Sequence, residues 1–296
     1  MSTIAFIGLG NMGNPMAANL VKAGYTVRGF DLVDANLKTA EGNGLKIAPS
    51  AADAVAGADT VITMLPAGKH VLSVYGDIVP AAAKGTLFID SSTIDVDSAR
   101  KAHAIAREAG MLSIDAPVSG GVGGAAAGTL TFMAGGSQEA FAKAEPVLKP
   151  MAGKIVHCGD AGAGQAAKIC NNMLLGISMI GVGEAFVLAE KLGLSHQALF
   201  DVASTSSGQC WSLTTYCPVP GPVPSSPANR DYKPGFATDL MLKDLRLSQE
   251  AAQSSGAATP LGAAAAQLYA LYEAAGGGGE DFSAIIRFLR GEHPAS

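Results

Sequence analysis

The residues "TIAFIGLGNMG" (3–13) carry a β-rich apolar run straight into three glycines. Gly8, Gly10 and Gly13 stand at G-x-G-x-x-G spacing, with Leu9, Asn11 and Met12 between them, and a helical stretch, "MGNPMAANLVKAG" (12–24), begins there. In such a turn the first glycine permits the sharp bend and the second lets the backbone approach a pyrophosphate. The third lets helix and strand pack closely, and the helix N-terminus faces the phosphates. The spacing alone is weak; the strand before it, the helix after it and an acid closing the second strand strengthen it. That acid is Asp31, in "VRGFDLVD" (27–34). Its carboxylate suits the two ribose hydroxyls of NAD and repels a 2′-phosphate, and no Arg or Lys stands at 32–36. NAD rather than NADP is therefore expected; the plain alternative is a glycine turn with a solvated Asp31.

On either side of that turn the chain alternates. Short β-rich runs occur at 3–8, 26–30, 60–65, 86–90, 111–116, 130–135 and 154–158, many of them separated by helical stretches. In "DVDSARKAHAIAREAG" (95–110), Val96, Ala99, Ala102, Ile105, Ala106 and Ala109 recur at helical spacing. The pattern predicts βαβ units on a mostly parallel sheet. Beyond about residue 162 the strand signals stop. The remainder reads as helical, broken by the proline-rich "YCPVPGPVPSSPANRDY" (216–232) and a flexible "GGGG" (276–279). Two domains follow: 1–162, α/β and dinucleotide-binding, and 163–296, all-α, for substrate and oligomerisation.

Composition bounds the function. Hydrophobic residues make up 48% and charged residues 15% of 296, the profile of a compact folded chain. A net charge of −5 argues against nucleic acid as a partner. Cys158, Cys170, Cys210 and Cys217 have no metal-like spacing with the histidines, so reduced thiols, no metal site and a cytoplasmic location are expected. The N-terminus lacks a signal-peptide pattern, and Glu184 interrupts the apolar run after Asn172, so no membrane span is expected.

Ligands of open α/β sheets bind outside the carboxyl ends of the strands. Leu65 and Pro66 close one run and "DSST" (90–93) the next, which brings the Thr93 hydroxyl toward the nicotinamide half; Ser91, Ser92 and Thr93 could equally cap the following helix. "DAPVSGG" (115–121) offers the Ser119 hydroxyl and the unobstructed N–H groups of Gly120 and Gly121, a nest suited to a carboxylate or simply a Ser–Gly turn. "GAGQAAKICNN" (162–172) then opens a helix that extends to about Lys191, roughly 40 Å. Lys168 and Asn172, four apart, share one face of it. A partly desolvated lysine near a helix start, with Lys243 as a possible like charge, is pushed down toward use as a base. A snorkelling helix lysine is the ordinary alternative, but two adjacent amides on an apolar helix need partners.

"FIGLGNMGNPMAANL", "DAPVSGG", "GAGQAAKICNN" and "FATDLMLKDL" (236–245), together with "SSGQCWS" (206–212), occur in the order and spacing of the β-hydroxyacid dehydrogenases. The chain resembles that family from residue 3 to about 290, and within it the 3-hydroxyisobutyrate branch. The resemblance implies a Rossmann-like N-terminal domain, an all-α C-terminal domain, and NAD(P)-dependent oxidation of a 3-hydroxy acid to its semialdehyde without metal. 3-Hydroxyisobutyrate to methylmalonate semialdehyde, a step of valine catabolism, is the leading case. It further implies Lys168 as catalytic lysine with Asn172 as companion, substrate-carboxylate contacts at Ser119 and Gly120, and Lys243 against the cofactor. Asp244 would line the site, and Trp211, Tyr216 and Phe236 would close the substrate pocket. From the residues alone, Lys243 and Asp244 read better as a solvated helix face, and Trp211 as a core or interface anchor. A small anionic hydroxyacid is favoured over a sugar-phosphate acid because the second half holds only Arg230, Arg246, Arg287 and Arg290. L-serine oxidation and tartronate semialdehyde reduction are the alternatives within the family; a non-catalytic dinucleotide-binding module is the rival outside it. The apolar helix after Asn172 suggests a homo-oligomer, dimer or tetramer.

Overall fold

A computed structural model describes residues 2–292. The chain divides into two compact units, Met1–Lys168 and Ile169–Ser296. The first contains β1 (Thr3–Ile7), α1 (Gly13–Lys22), β2 (Thr26–Phe30), α2 (Asp34–Gly42), β3 (Lys46–Ile47), α3 (Ala51–Val55), β4 (Thr60–Thr63) and α4 (Gly68–Ile78). It continues through β5 (Leu87–Asp90), α5 (Val96–Glu108), β6 (Leu112–Asp115), β7 (Val118–Ser119), α6 (Gly121–Ala127), β8 (Leu130–Gly135), α7 (Gln138–Leu148) and β9 (Ala152–Gly159). Helix α8 (Ala163–Lys191) starts in this unit and runs on into the second. There α9 (His196–Ala203), α10 (Trp211–Thr214), α11 (Thr238–Ser255), α12 (Pro260–Ala274) and α13 (Ile285–Arg290) follow.

The sheet order is β3-β2-β1-β4-β5-β6-β8-β7, with β9 on β8. The pairs from β3 to β6 are parallel; β8 runs antiparallel to β6 and β7. The strands carry apolar side chains on both faces because helices cover both. Ile4 and Phe6 enter one core with Leu9, Met16, Leu20, Ile62 and Phe132, whereas Ala5 and Ile7 enter the opposite one with Val61, Val71, Tyr75 and Phe88. Strand order reverses between β1 and β4, which is where an α/β sheet of this kind leaves its ligand crevice.

The second unit is helical around Met179, Phe186, Met241, Leu245, Tyr269, Tyr272, Phe282 and Ile285. Its two irregular segments are packed. The "GGGG" stretch, expected to be flexible, forms a 3-10 turn at Gly277–Gly279. Gly277 lies so close under Tyr272 that a Cβ would come 2.4 Å from the ring. In the proline-rich segment, Ser226 Oγ donates to the Cys217 carbonyl at 2.5 Å and the Tyr232 hydroxyl to the Pro218 carbonyl at 2.7 Å.

The two compact units meet at Lys168/Ile169, and the first turn of α8 is bonded to the sheet. By length and composition α8 is apolar enough to cross a membrane, a test that the core helix of a folded protein also passes.

Candidate active site

The glycine turn divides its three glycines by function. Gly8 has φ +94°, and a Cβ there would lie 2.3 Å from the Met64 carbonyl oxygen; at Gly13 it would lie 1.9 Å from the oxygen of Gly8. Those two are needed for the fold of the turn itself. A Cβ at Gly10 would meet nothing within 4 Å. That open backbone, at the start of α1, fits a pyrophosphate. Asp31 sits just past β2, where it also holds the turn: one carboxylate oxygen accepts from Leu9 N at 2.6 Å and the other from Val33 N at 2.8 Å. A carboxylate has about four acceptor sites, so capacity for ribose hydroxyls remains. A dinucleotide therefore fits the residues present.

The next strand ends are tied by a buried carboxylate. Asp90 Oδ1 accepts from Thr63 Oγ1 at 2.7 Å and from Ser92 Oγ at 2.6 Å, while Ser92 Oγ accepts from Leu65 N at 2.8 Å. Leu65 is half-buried, Pro66 exposed and Thr93 half-buried. Ser91 to Thr93 do not cap α5; Asp95 does, accepting from Ser98 N at 2.7 Å. Burial, only partly opposed by these hydrogen bonds, pushes the Asp90 carboxyl up to about 6, and neighbouring Asp115 adds to the rise.

Ser119 ends the two-residue β7, paired with Thr131. Gly120 and Gly121 follow at φ +134° and +63°, a conformation that side-chain-bearing residues avoid.

The start of α8 is fixed from β6. Asp115, 1% exposed, accepts from Gly162 N and Gln165 N, each at 2.8 Å, and His103 Nε2 lies 2.9 Å from it. Lys168, one turn on, is only 6% exposed.

In the helical unit, Asn172 is buried and its amide is engaged twice. Nδ2 donates to Asp244 Oδ2 at 2.5 Å, and Oδ1 accepts from Asn171 Nδ2 at 3.0 Å. Asp244 is itself 3% exposed, so the solvated-face alternative is wrong for it. Lys243 Nζ lies 3.8 Å from its other oxygen. Trp211, half-exposed, stacks on Tyr216 with centroids 4.9 Å apart, and Tyr216 stacks on Phe282 at 5.3 Å, with Phe236 edge-on to Phe282 at 5.7 Å. The Tyr216 hydroxyl donates to Asp281 at 2.9 Å; burial first, then that carboxylate, pushes its pKa well up. Three of the four arginines here form ion pairs: Arg287 with Glu280 and Asp231, Arg290 with Glu190, Arg246 with Glu273.

Sequence reasoning missed Asp115, Gln165, Asp281 and Phe282 as organisers. Only the first two carried a signal, by lying inside the quoted motifs.

A nucleotide-binding turn at the switch point of a Rossmann-type sheet, followed by a helical unit, defines the class: an NAD(P)-binding oxidoreductase. Residues 3–159 match the NAD binding domain of 6-phosphogluconate dehydrogenase, and residues 162–289 match the NAD-binding domain of NADP-dependent 3-hydroxyisobutyrate dehydrogenase. The chain is 59% identical over 290 residues to a probable 3-hydroxyisobutyrate dehydrogenase of Mycobacterium tuberculosis, covering 98% of each. It is 51% identical over 292 residues to an NAD-dependent L-serine dehydrogenase of Pseudomonas aeruginosa, again covering 98% of each. A solved Mycobacterium tuberculosis 3-hydroxyisobutyrate dehydrogenase with L-serine superposes with a TM-score of 0.96 at 59% identity, over 98% of this chain and 99% of that one. The chain belongs to the 3-hydroxyisobutyrate dehydrogenase family of β-hydroxyacid dehydrogenases. It is an oxidoreductase of that type, which retires the non-catalytic module.

Proposed function

We propose that this enzyme oxidises 3-hydroxyisobutyrate to methylmalonate semialdehyde with NAD, using Lys168 as general acid and base. The observation that carries this is a lysine 6% exposed at the start of α8, in a chain whose glycine turn is intact. NAD, when bound, would supply the hydride acceptor for the carbinol carbon. Lys168 accepts the hydroxyl proton at Nζ in oxidation and returns it in reduction. Ser119 and the N–H groups of Gly120 and Gly121 receive the substrate carboxylate. In the helical unit, Asn172 supports the lysine's task while holding Asp244, and Lys243 serves the cofactor. Trp211, Tyr216 and Phe236 supply apolar ring surface on the substrate side; the Tyr216 hydroxyl is already committed to Asp281.

NAD is favoured over NADP because Asp31, just past β2, offers a carboxylate and residues 32–36 carry no cation. L-serine is the second reading, favoured by the 51% identical L-serine dehydrogenase and by the solved M. tuberculosis relative with L-serine. Four free thiols support a cytoplasmic setting. Exposed Leu174, Leu188 and Leu192 on α8 and just past its end support self-association as a dimer or tetramer.

The test is a steady-state comparison of 3-hydroxyisobutyrate, L-serine, 3-hydroxypropionate and D-glycerate with NAD and NADP, run beside Lys168→Ala. The expected result is highest kcat/KM with 3-hydroxyisobutyrate and NAD. The variant should lose about 10²- to 10⁴-fold or more in kcat while binding NADH normally. Near-wild-type kcat in Lys168→Ala refutes the acid–base assignment, and a preference for NADP refutes the cofactor assignment.

A further inference from the structure

Gln165 is fully buried, and no chemistry has been assigned to it above. Both ends of its amide are used within the N-terminal unit: Oε1 accepts from Ile94 N at 3.1 Å, and Nε2 donates to the Ser92 carbonyl at 2.7 Å. The side chain thus bonds the residue before Thr93 and the residue after it. Ser92 in turn receives Leu65 N, so the clip reaches the end of β4 as well as that of β5.

On its own helix Gln165 precedes Lys168 by three residues, about one turn along the same side. That turn has no slack against the sheet. The Gln165 N–H is bound by Asp115, and at Gly164 a Cβ would lie 2.2 Å from the Met133 carbonyl oxygen and 2.6 Å from that of Asp115.

The geometry points to Gln165 as a positioning residue for hydride transfer, holding the Thr93 segment and the helical turn of Lys168 at one fixed spacing. This rests on the reading of Lys168 as general base and of Thr93 beside the nicotinamide. The residue type follows from the partners. One carbonyl needs a donor and one N–H needs an acceptor, and a neutral amide supplies both from one side chain. An ionised glutamate would turn an oxygen toward the Ser92 carbonyl, and methionine would offer neither group. Hydride transfer requires the reacting carbons within about 3–3.5 Å while the base keeps hydrogen-bond reach, and a misplacement of about 1 Å costs on the order of 10²-fold.

The experiment compares wild type, Gln165→Met, Gln165→Glu and Lys168→Ala. NADH-binding sites are counted by fluorescence titration, and kcat is measured with substrate carrying hydrogen or deuterium at the carbinol carbon. Gln165→Met should bind NADH within about threefold of wild type yet lose about 10- to 100-fold in kcat per site. Its deuterium isotope effect on kcat should rise, because the hydride step becomes limiting; a merely structural loss would lower the number of sites and leave both values unchanged. Gln165→Met with wild-type kcat per site and an unchanged isotope effect overturns the inference, provided Lys168→Ala is inactive. An active Lys168→Ala overturns the reading beneath it, and the inference with it. Should Gln165→Met fail to fold, Gln165→Glu carries the same criterion.

Discussion

Asp90 ends β5 with its two carboxylate oxygens in opposite circumstances. Oδ1 accepts three hydrogen bonds, two of them from Ser92, while Oδ2 is buried and without a partner among the described residues. Burial dominates and lifts the pKa from 3.8 to about 6. The sign follows from proton counting. Between about pH 4 and 6 the native chain holds a proton that the unfolded chain has released, so this group's stabilisation is full below pH 3.8 and lost as pH rises through about 6. The span corresponds to about 3 kcal/mol at most. Relative to Asp90→Asn, the wild type should lose stability across that window in denaturant titrations from pH 4 to 7; parallel curves for the two proteins would sink the assignment. None of this was legible in "DSST", where Asp90 reads as the last residue of a strand. Asp115 lies inside a quoted motif, but its organising role could not be read there. Its partners Gly162 and Gln165 are brought to it by the fold, and sequence spacing carries no trace of them. Lys168 and Asn172 could be read because helical periodicity sets their relation locally.

At the scale of elements, the strands that matter were legible. Being buried on both faces, they read as continuous apolar runs. The two-residue strands β3 and β7 were not, since two residues carry no period, and "GGGG" misled because its order comes from the Tyr272 ring above Gly277. The turn after β1 makes a separable prediction. Gly13→Ala forces a methyl group onto the Gly8 carbonyl and should cost about 1–3 kcal/mol of stability. Gly10→Ala meets no neighbour and should stay within about 0.5 kcal/mol, while weakening NADH binding by crowding the phosphate approach. Urea unfolding alongside NADH titration separates the two effects. Equal destabilisation by both substitutions, with equal affinity for NADH, would contradict the division of labour among the glycines.

For the whole molecule, sequence reasoning foresaw two units and their classes. It did not foresee that the first turn of α8 belongs to the sheet, because that depends on Gly164 and Gln165 meeting β6. The exposed leucines make a prediction at this scale. Leu188 and Leu192 lie four apart at the end of α8 and are 60% and 75% exposed. Sedimentation equilibrium should give a wild-type mass at least twice that of the 29.7 kDa chain, and the Leu188→Glu/Leu192→Glu protein should sediment as a monomer. A monomeric wild type across the micromolar range would remove self-association from the reading.

The stack of Trp211 on Tyr216 has a practical consequence. Trp211 is the chain's single tryptophan, half-exposed and held against a ring whose hydroxyl is anchored to Asp281. Tryptophan emission from this protein therefore originates in the helical unit alone, whereas far-ultraviolet ellipticity reports on both units. One sample read at two wavelengths during unfolding tells whether the halves of the enzyme melt as one body or in turn.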